Sequence, residues 1–154
     1  MNIIIKGLTG VEKISKLSKL NIRRRRALIE YLIREDFSRY GFKQVDLNIS
    51  GDSERISISD DSPIIISFDI SYASDYKEDA YTWCYVDFII NKPNIEIPDE
   101  LKGTFTRYVD SKHKRIFWRH RMLTRIIDMD MAVEHIIKTR DKLLELLNEY
   151  DVEL

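Results

Sequence analysis

Two periodicities divide the chain. Between Ile22 and Tyr40 apolar residues recur at helical spacing, with Ile22, Ile29, Ile33 and Phe37 joined by Leu32 and Tyr40 into one stripe that Leu28 and Tyr31 widen. Gly41 follows at the place where a helix ends on a left-handed residue. An earlier, shorter helix is expected from Gly10 to Leu20, opened by the Thr9–Glu12 capping box, with Val11, Ile14 and Leu17 on one face. A last helix is expected from Asp128 or Asp130 to about Tyr150, lined by Met129, Val133, Ile136, Ile137, Leu143, Leu144 and Leu147.

Between the helical stretches the period falls to two. Val45–Ile49 and Arg55–Ser59 alternate around the turn Ser50–Glu54. Ile64–Tyr72 and Thr82–Ile90 form a second, longer pair around the acidic loop Ala73–Tyr81. Placing Tyr72 opposite Thr82 sorts this pair into two faces. Ile64, Ile66, Phe68, Ile70, Cys84, Val86, Phe88 and Ile90 make an apolar face. Ile65, Ser67, Asp69, Ser71, Trp83, Tyr85, Asp87 and Ile89 make a mixed one. A one-residue slip would turn every side chain of one strand over, so the apolar set pins the register. Sequential strands usually neighbour one another. The expected fold is therefore α+β: a two-layer sandwich in which a four-stranded antiparallel meander is packed by N-terminal and C-terminal helices. Pro98 can open a short helical turn through Leu101. Residues 104–125 read as strand or helix, with Phe105, Tyr108 and Val109 suited to a short helix.

A chain of 154 residues suits one domain, 1–154. The single cysteine, Cys84, leaves no internal disulfide framework and points to a reducing compartment, so a cytoplasmic location is expected. The N-terminal apolar run is too short for a secretory signal, and no run reaches the roughly 20 residues of a membrane helix.

The formal net charge of −1 conceals segregation. Residues 44–101 carry 3 Lys/Arg against 13 Asp/Glu, whereas residues 102–125 carry 8 against 1. Such blocks either present fields of opposite sign to partners or neutralise one another in the fold.

Chemistry-bearing patterns are few. His113, His120 and His135 lack metal-ligand spacing, and no glycine-rich phosphate loop or nucleophile elbow is present, so no cofactor, metal or catalytic residue is expected. Asp69 and Asp87 could pair on one sheet face, but without a nearby acid-x-lysine triplet they read as solvated strand aspartates. Arg115 and His120 stand at the R-x4-H spacing of HEPN ribonucleases, a helical family whose fold a four-stranded chain does not share.

Two binding surfaces remain. Asp69, Trp83, Tyr85 and Asp87, crowned by Tyr76, Glu78, Asp79 and Tyr81, form an aromatic anchor with an acidic rim suited to a protein partner with a basic surface. This points to a non-enzymatic interaction module: an inhibitor, an immunity-type protein or an adaptor. The opposing reading is that residues 104–125 fold over this face and close the charge internally. The second candidate is a nucleic-acid interface, with Arg23, Arg24, Arg25 and Arg26 together with Lys112, Lys114, Arg115, Arg119 and Arg121 gathered on one side. Self-association through the C-terminal leucine-rich helix is a further option.

Overall fold

The computed structural model describes residues 22–47, 49, 55–70, 83–125 and 129–154, with residues 22–25 and 129–131 described by backbone alone. The expected helix at 10–20, the loop 73–81 and the turn 50–54 lie outside the described residues.

Helix α1 spans Ile22–Leu32, and the chain continues through a wider π-type turn at Ile33–Phe37 and a 3₁₀ turn at Ser38–Tyr40. Leu28, Ile29, Leu32, Ile33 and Phe37 are buried, as the stripe requires. Gly41 ends the run with φ +85°, and an added Cβ there would meet no atom within 4 Å. Backbone conformation alone therefore favours glycine. Gly41→Ala is expected to lower stability by about 1 kcal/mol, read from the urea midpoint, through the positive φ and not through a clash. Helix α2 spans Met129–Glu149, and Val133, Ile136, Leu143 and Leu147 bury its inner side. Among the described residues no helix is long and apolar enough to cross a membrane.

Six strands, not four, form one antiparallel sheet: β1 Lys43–Val45, β2 Arg55–Ser59, β3 Ile64–Asp69, β4 Trp83–Ile90, β5 Thr106–Asp110 and β6 Arg115–Arg125. Their order is β1-β2-β3-β4-β6-β5. The first four follow the meander. The β3–β4 register runs from Ile64 opposite Ile90 to Asp69 opposite Tyr85, in line with the expected alignment. On the apolar face Ile64, Ile66, Phe68, Ile70, Cys84, Val86, Phe88 and Ile90 are all at 0 % exposure. They form the main core with both helices.

Residues 104–125 resolve as a β-hairpin, which removes the short helix expected around Phe105–Val109. Its second strand enters the sheet between β4 and β5. The crossover 91–105 makes this placement possible. The Asn94 backbone N–H donates to the Ile116 carbonyl (2.8 Å), and the Ile116 N–H donates back to Asn94 Oδ1 (2.9 Å). The Trp118 indole N–H then donates to the Ile95 carbonyl at 3.0 Å. Ile97, Leu101 and Phe105 continue the crossover through the core, with a 3₁₀ turn at Asp99–Leu101 after Pro98.

The first strand is also displaced. Only Lys43–Val45 pairs, while Leu47 and Ile49 leave the edge and pack on Ile89, Tyr108 and Phe117 of the opposite sheet face. Their alternation is genuine, but it serves a second, smaller core and not a ladder.

Candidate functional site

The second sheet face is built from odd-numbered β2, β3, β4 and β6 residues and even-numbered β5 residues. Strand pairing aligns Arg55 with Asp69 and Tyr85, and Ser57 with Ser67, Asp87 and Arg121. Each carboxylate therefore stands beside an arginine of a neighbouring strand, because basic residues of β2 and β6 share the parity of the acids on β3 and β4.

Asp87 is the hub of this face, at 0 % exposure. Arg121 holds it through Nε on Oδ1 (2.7 Å) and Nη2 on Oδ2 (2.9 Å). Arg55 Nη1 donates to Oδ2 at 2.8 Å, and Arg119 Nη1 at 3.3 Å. Asp69 accepts from Arg121 Nη2 (3.0 Å) and more distantly from Arg55 Nη2 (3.5 Å). Burial alone would raise the Asp87 carboxyl above the ordinary carboxylate range. The bonds from Arg121 and Arg55 outweigh it and hold the group below that range. For Arg121 burial works against the charge, and the Asp87 bonds override it and raise its pKa. Desolvated charges persist here because nearly every lone pair of the hub carboxylate has a donor.

Aromatic rings complete the cluster. The guanidinium of Arg121 lies 4.2 Å from the Tyr85 centroid, and those of Arg119 and Arg55 lie 4.4 and 5.1 Å from that of Tyr108. Arg125 lies over Trp83 at 5.4 Å, and Arg115 over Phe117 at 5.3 Å. Arg55 and Tyr108 sit on β2 and β5, four inter-strand steps apart, about 19 Å in a flat sheet. Their contact requires the sheet to coil with this face concave. The lower end of the concavity is filled by Leu47, Ile49, Ile89, Tyr108 and Phe117. The upper end is a rim of half-buried Trp83, Tyr85, Arg121, Leu123 and Arg125.

This geometry corrects several expectations. Asp69 and Asp87 stand on the face opposite the main core, as the register requires, but they are not solvated; at 6 % and 0 % exposure they are enclosed by arginines of the chain itself. The basic segment 115–125 does close the charge on this face, but as a strand inserted beside β4 and not as an arm laid across it. Tyr76, Glu78, Asp79 and Tyr81 lie outside the described residues. Of the two basic stretches, the described Arg26 and the turn lysines Lys112 and Lys114 stand apart. Arg26 donates through Nη1 to the Arg55 carbonyl (3.2 Å) and pairs with Glu30 (3.3 Å), beside the upper rim. Lys112 and Lys114 occupy the β5–β6 turn at the other end of β6, roughly 34 Å away along an 11-residue strand. Arg23, Arg24 and Arg25 are described by backbone alone, in the first turn of α1.

Arg115 and His120 face opposite sides of β6. Arg115 grips Asp110 (Nη2–Oδ2 2.6 Å), while the His120 ring meets the Thr104 carbonyl at 2.9 Å. Their spacing therefore brings no shared chemistry. Asp110, at 0 % exposure, also holds His113 Nδ1 at 2.8 Å and so shapes the turn.

One ion pair away from this face had a readable signal that hydrophobic counting passes over. Arg140 interrupts the α2 stripe Val133-Ile136-Leu143-Leu147 and is itself buried. It reaches the β2–β3 turn as a fork on Asp60, with Nη1–Oδ1 2.6 Å and Nη2–Oδ2 2.8 Å. A cation in an apolar stripe implies an acid opposite it.

The class these features define is an α+β domain with helices on one side of a coiled six-stranded sheet and an arginine–aspartate cluster on the other. Comparison with protein-family models, curated proteins and solved structures yields no match.

Proposed function

We propose that the protein is a non-enzymatic interaction module that grips another protein through the upper rim of the concave face: Trp83, Tyr85, Arg121, Leu123 and Arg125. One observation carries the reading. With Asp69 and Asp87 enclosed, what the described residues of this rim offer a partner is aromatic, aliphatic and guanidinium surface. Tryptophan, tyrosine and arginine are the residues in which interface energy concentrates. Arg121 keeps an exposed edge on this rim, so the fitting partner has an acidic contact surface, which reverses the charge expected from sequence.

The test is affinity capture from an extract of the source organism with wild type, Trp83→Ala and Arg125→Glu in parallel. A stoichiometric partner retained by wild type and lost from both variants is the expected result. Absence of any such partner, or one indifferent to both substitutions, overturns the reading.

Nucleic acid is the second reading, and it rests on Arg115, Arg119, Arg121 and Arg125 sharing one side of β6. It requires binding that weakens steeply with salt, since phosphate contacts release counterions. Fluorescence anisotropy with a labelled single strand at low and moderate salt decides it. No binding, or binding unchanged by Arg125→Glu, ends this alternative.

A further inference from the structure

The cluster beneath the rim suggests which group of the partner is received there, an inference that rests on the protein-interaction reading above. Arg121 is held on three sides. Its Nε and Nη2 are taken by Asp87 and Asp69, and one flat side lies against Tyr85. Its Nη1 makes no hydrogen bond to any described residue, and 29 % of the side chain is exposed. A free surface arginine samples many rotamers and loses them on binding; this one has already lost them in the folded chain. The guanidinium therefore presents a single fixed donor edge at the rim, over the Tyr85 ring. Fixed, partly desolvated N–H donors of a guanidinium select oxyanions, which on a protein partner are side-chain carboxylates.

We propose that Arg121 Nη1 is the anchor for a side-chain carboxylate of the partner, and that Asp87, which is buried and touches no partner, is the positioning residue that aims it. Two consequences separate this from simple charge attraction. Removing Asp87 makes the face more positive, so unspecific attraction would strengthen. Under the proposal binding weakens instead, because the anchor is released. Replacing Arg121 by lysine keeps the charge but loses the fixed Nη1 donor, and binding falls.

The experiment is an NMR titration of the labelled protein with a hexaglutamate peptide, following the Arg121 side-chain N–H and the Trp83 indole N–H. A hexalysine peptide and a short thymidine oligonucleotide serve as comparison probes. Hexaglutamate is expected to shift both resonances saturably. Its apparent affinity should fall at least five-fold in Arg121→Lys and Asp87→Asn, and hexalysine should leave both resonances in place. Tyr85→Leu, which loosens the same guanidinium from its partly exposed side, provides a second route should Asp87→Asn fail to fold; it too should weaken the titration. If hexaglutamate moves neither resonance, the anchor is refuted, while capture lost in Trp83→Ala would leave the interaction module standing. Equal or tighter hexaglutamate binding in Asp87→Asn or Tyr85→Leu refutes positioning. An oligonucleotide that binds more tightly than hexaglutamate, with the same shifts, overturns the carboxylate in favour of phosphate.

Discussion

Asp87→Ala is expected to destabilise the fold by about 3–5 kcal/mol, seen as a drop in urea midpoint at unchanged slope. The substitution removes few atoms, so the cavity contribution is small. What it leaves behind is the larger effect. Arg55 and Arg119, with side chains 11 % and 21 % exposed, and Arg121 at 29 %, would lose the carboxylate they share, leaving Asp69 as the remaining acid of the cluster among the described residues. Three guanidinium groups gathered without that charge between them repel one another in a site that water reaches poorly. Asp69→Ala should be milder, by a factor of two or more. Asp69 lies nearer the rim, and its contact with Arg55 is long at 3.5 Å. Asp87→Asn should fall between, since an amide keeps one acceptor but not the charge. A loss below about 1 kcal/mol for Asp87→Ala would mean that the arginines find water readily, and that the cluster does not hold the concave face together.

The same cluster shows where sequence reasoning reached and where it stopped. Parity could be read because eight apolar side chains agree on one face, and any slip of β3 against β4 would have exposed them. Gly41 and the two described helices were legible for the same local reason, each carrying its own period and terminator. The β5–β6 hairpin was not. Along Arg115–Arg125 Phe117 and Leu123 interrupt the arginines on one side and His120 and Thr124 interrupt the apolar residues on the other, so the polar-out, apolar-in contrast is blurred. The stems of those arginines lie on aromatic rings of other strands, and that packing depends on contacts far apart in sequence. Insertion of β6 between β4 and β5 is likewise a property of the crossover and of Asn94, invisible to period or propensity. Charge counts contained the outcome without deciding it. An acidic block followed by a basic one serves a partner or serves the chain, and only the adjacency of β4 and β6 shows that Asp87 and Arg121 serve each other.

Asp60 and Arg140 should show an unequal response to loss of either partner, although one ion pair joins them. Arg140, with a side chain 6 % exposed, is the buried member; Asp60 keeps 22 %. Arg140→Leu leaves a carboxylate that can rehydrate, puts an apolar group into an apolar stripe, and is expected to cost about 1–2 kcal/mol. Asp60→Ala leaves a buried guanidinium without its fork and is expected to cost about 2–4 kcal/mol, with Asp141 at 2.8 Å of Nε as its remaining acid. The double variant should cost less than the sum, because the stranded cation is gone. Acid makes the same comparison without mutation. Hydrogen bonds from Arg140 hold the Asp60 carboxyl below its ordinary range. A group whose pKa is depressed by folding contributes stability above its unfolded value, near 3.9, and loses it as pH falls through the folded value. The stability gap between wild type and Asp60→Ala should therefore be full at pH 7 and narrow below about pH 4. Asp87, depressed in the same direction, should add a parallel loss in wild type and in the Asp60 variant alike. Urea midpoints for both proteins at pH 7, 4 and 3 measure the gap. A gap that stays constant across this range would show that Asp60 acts through packing at the β2–β3 turn and not through its charge.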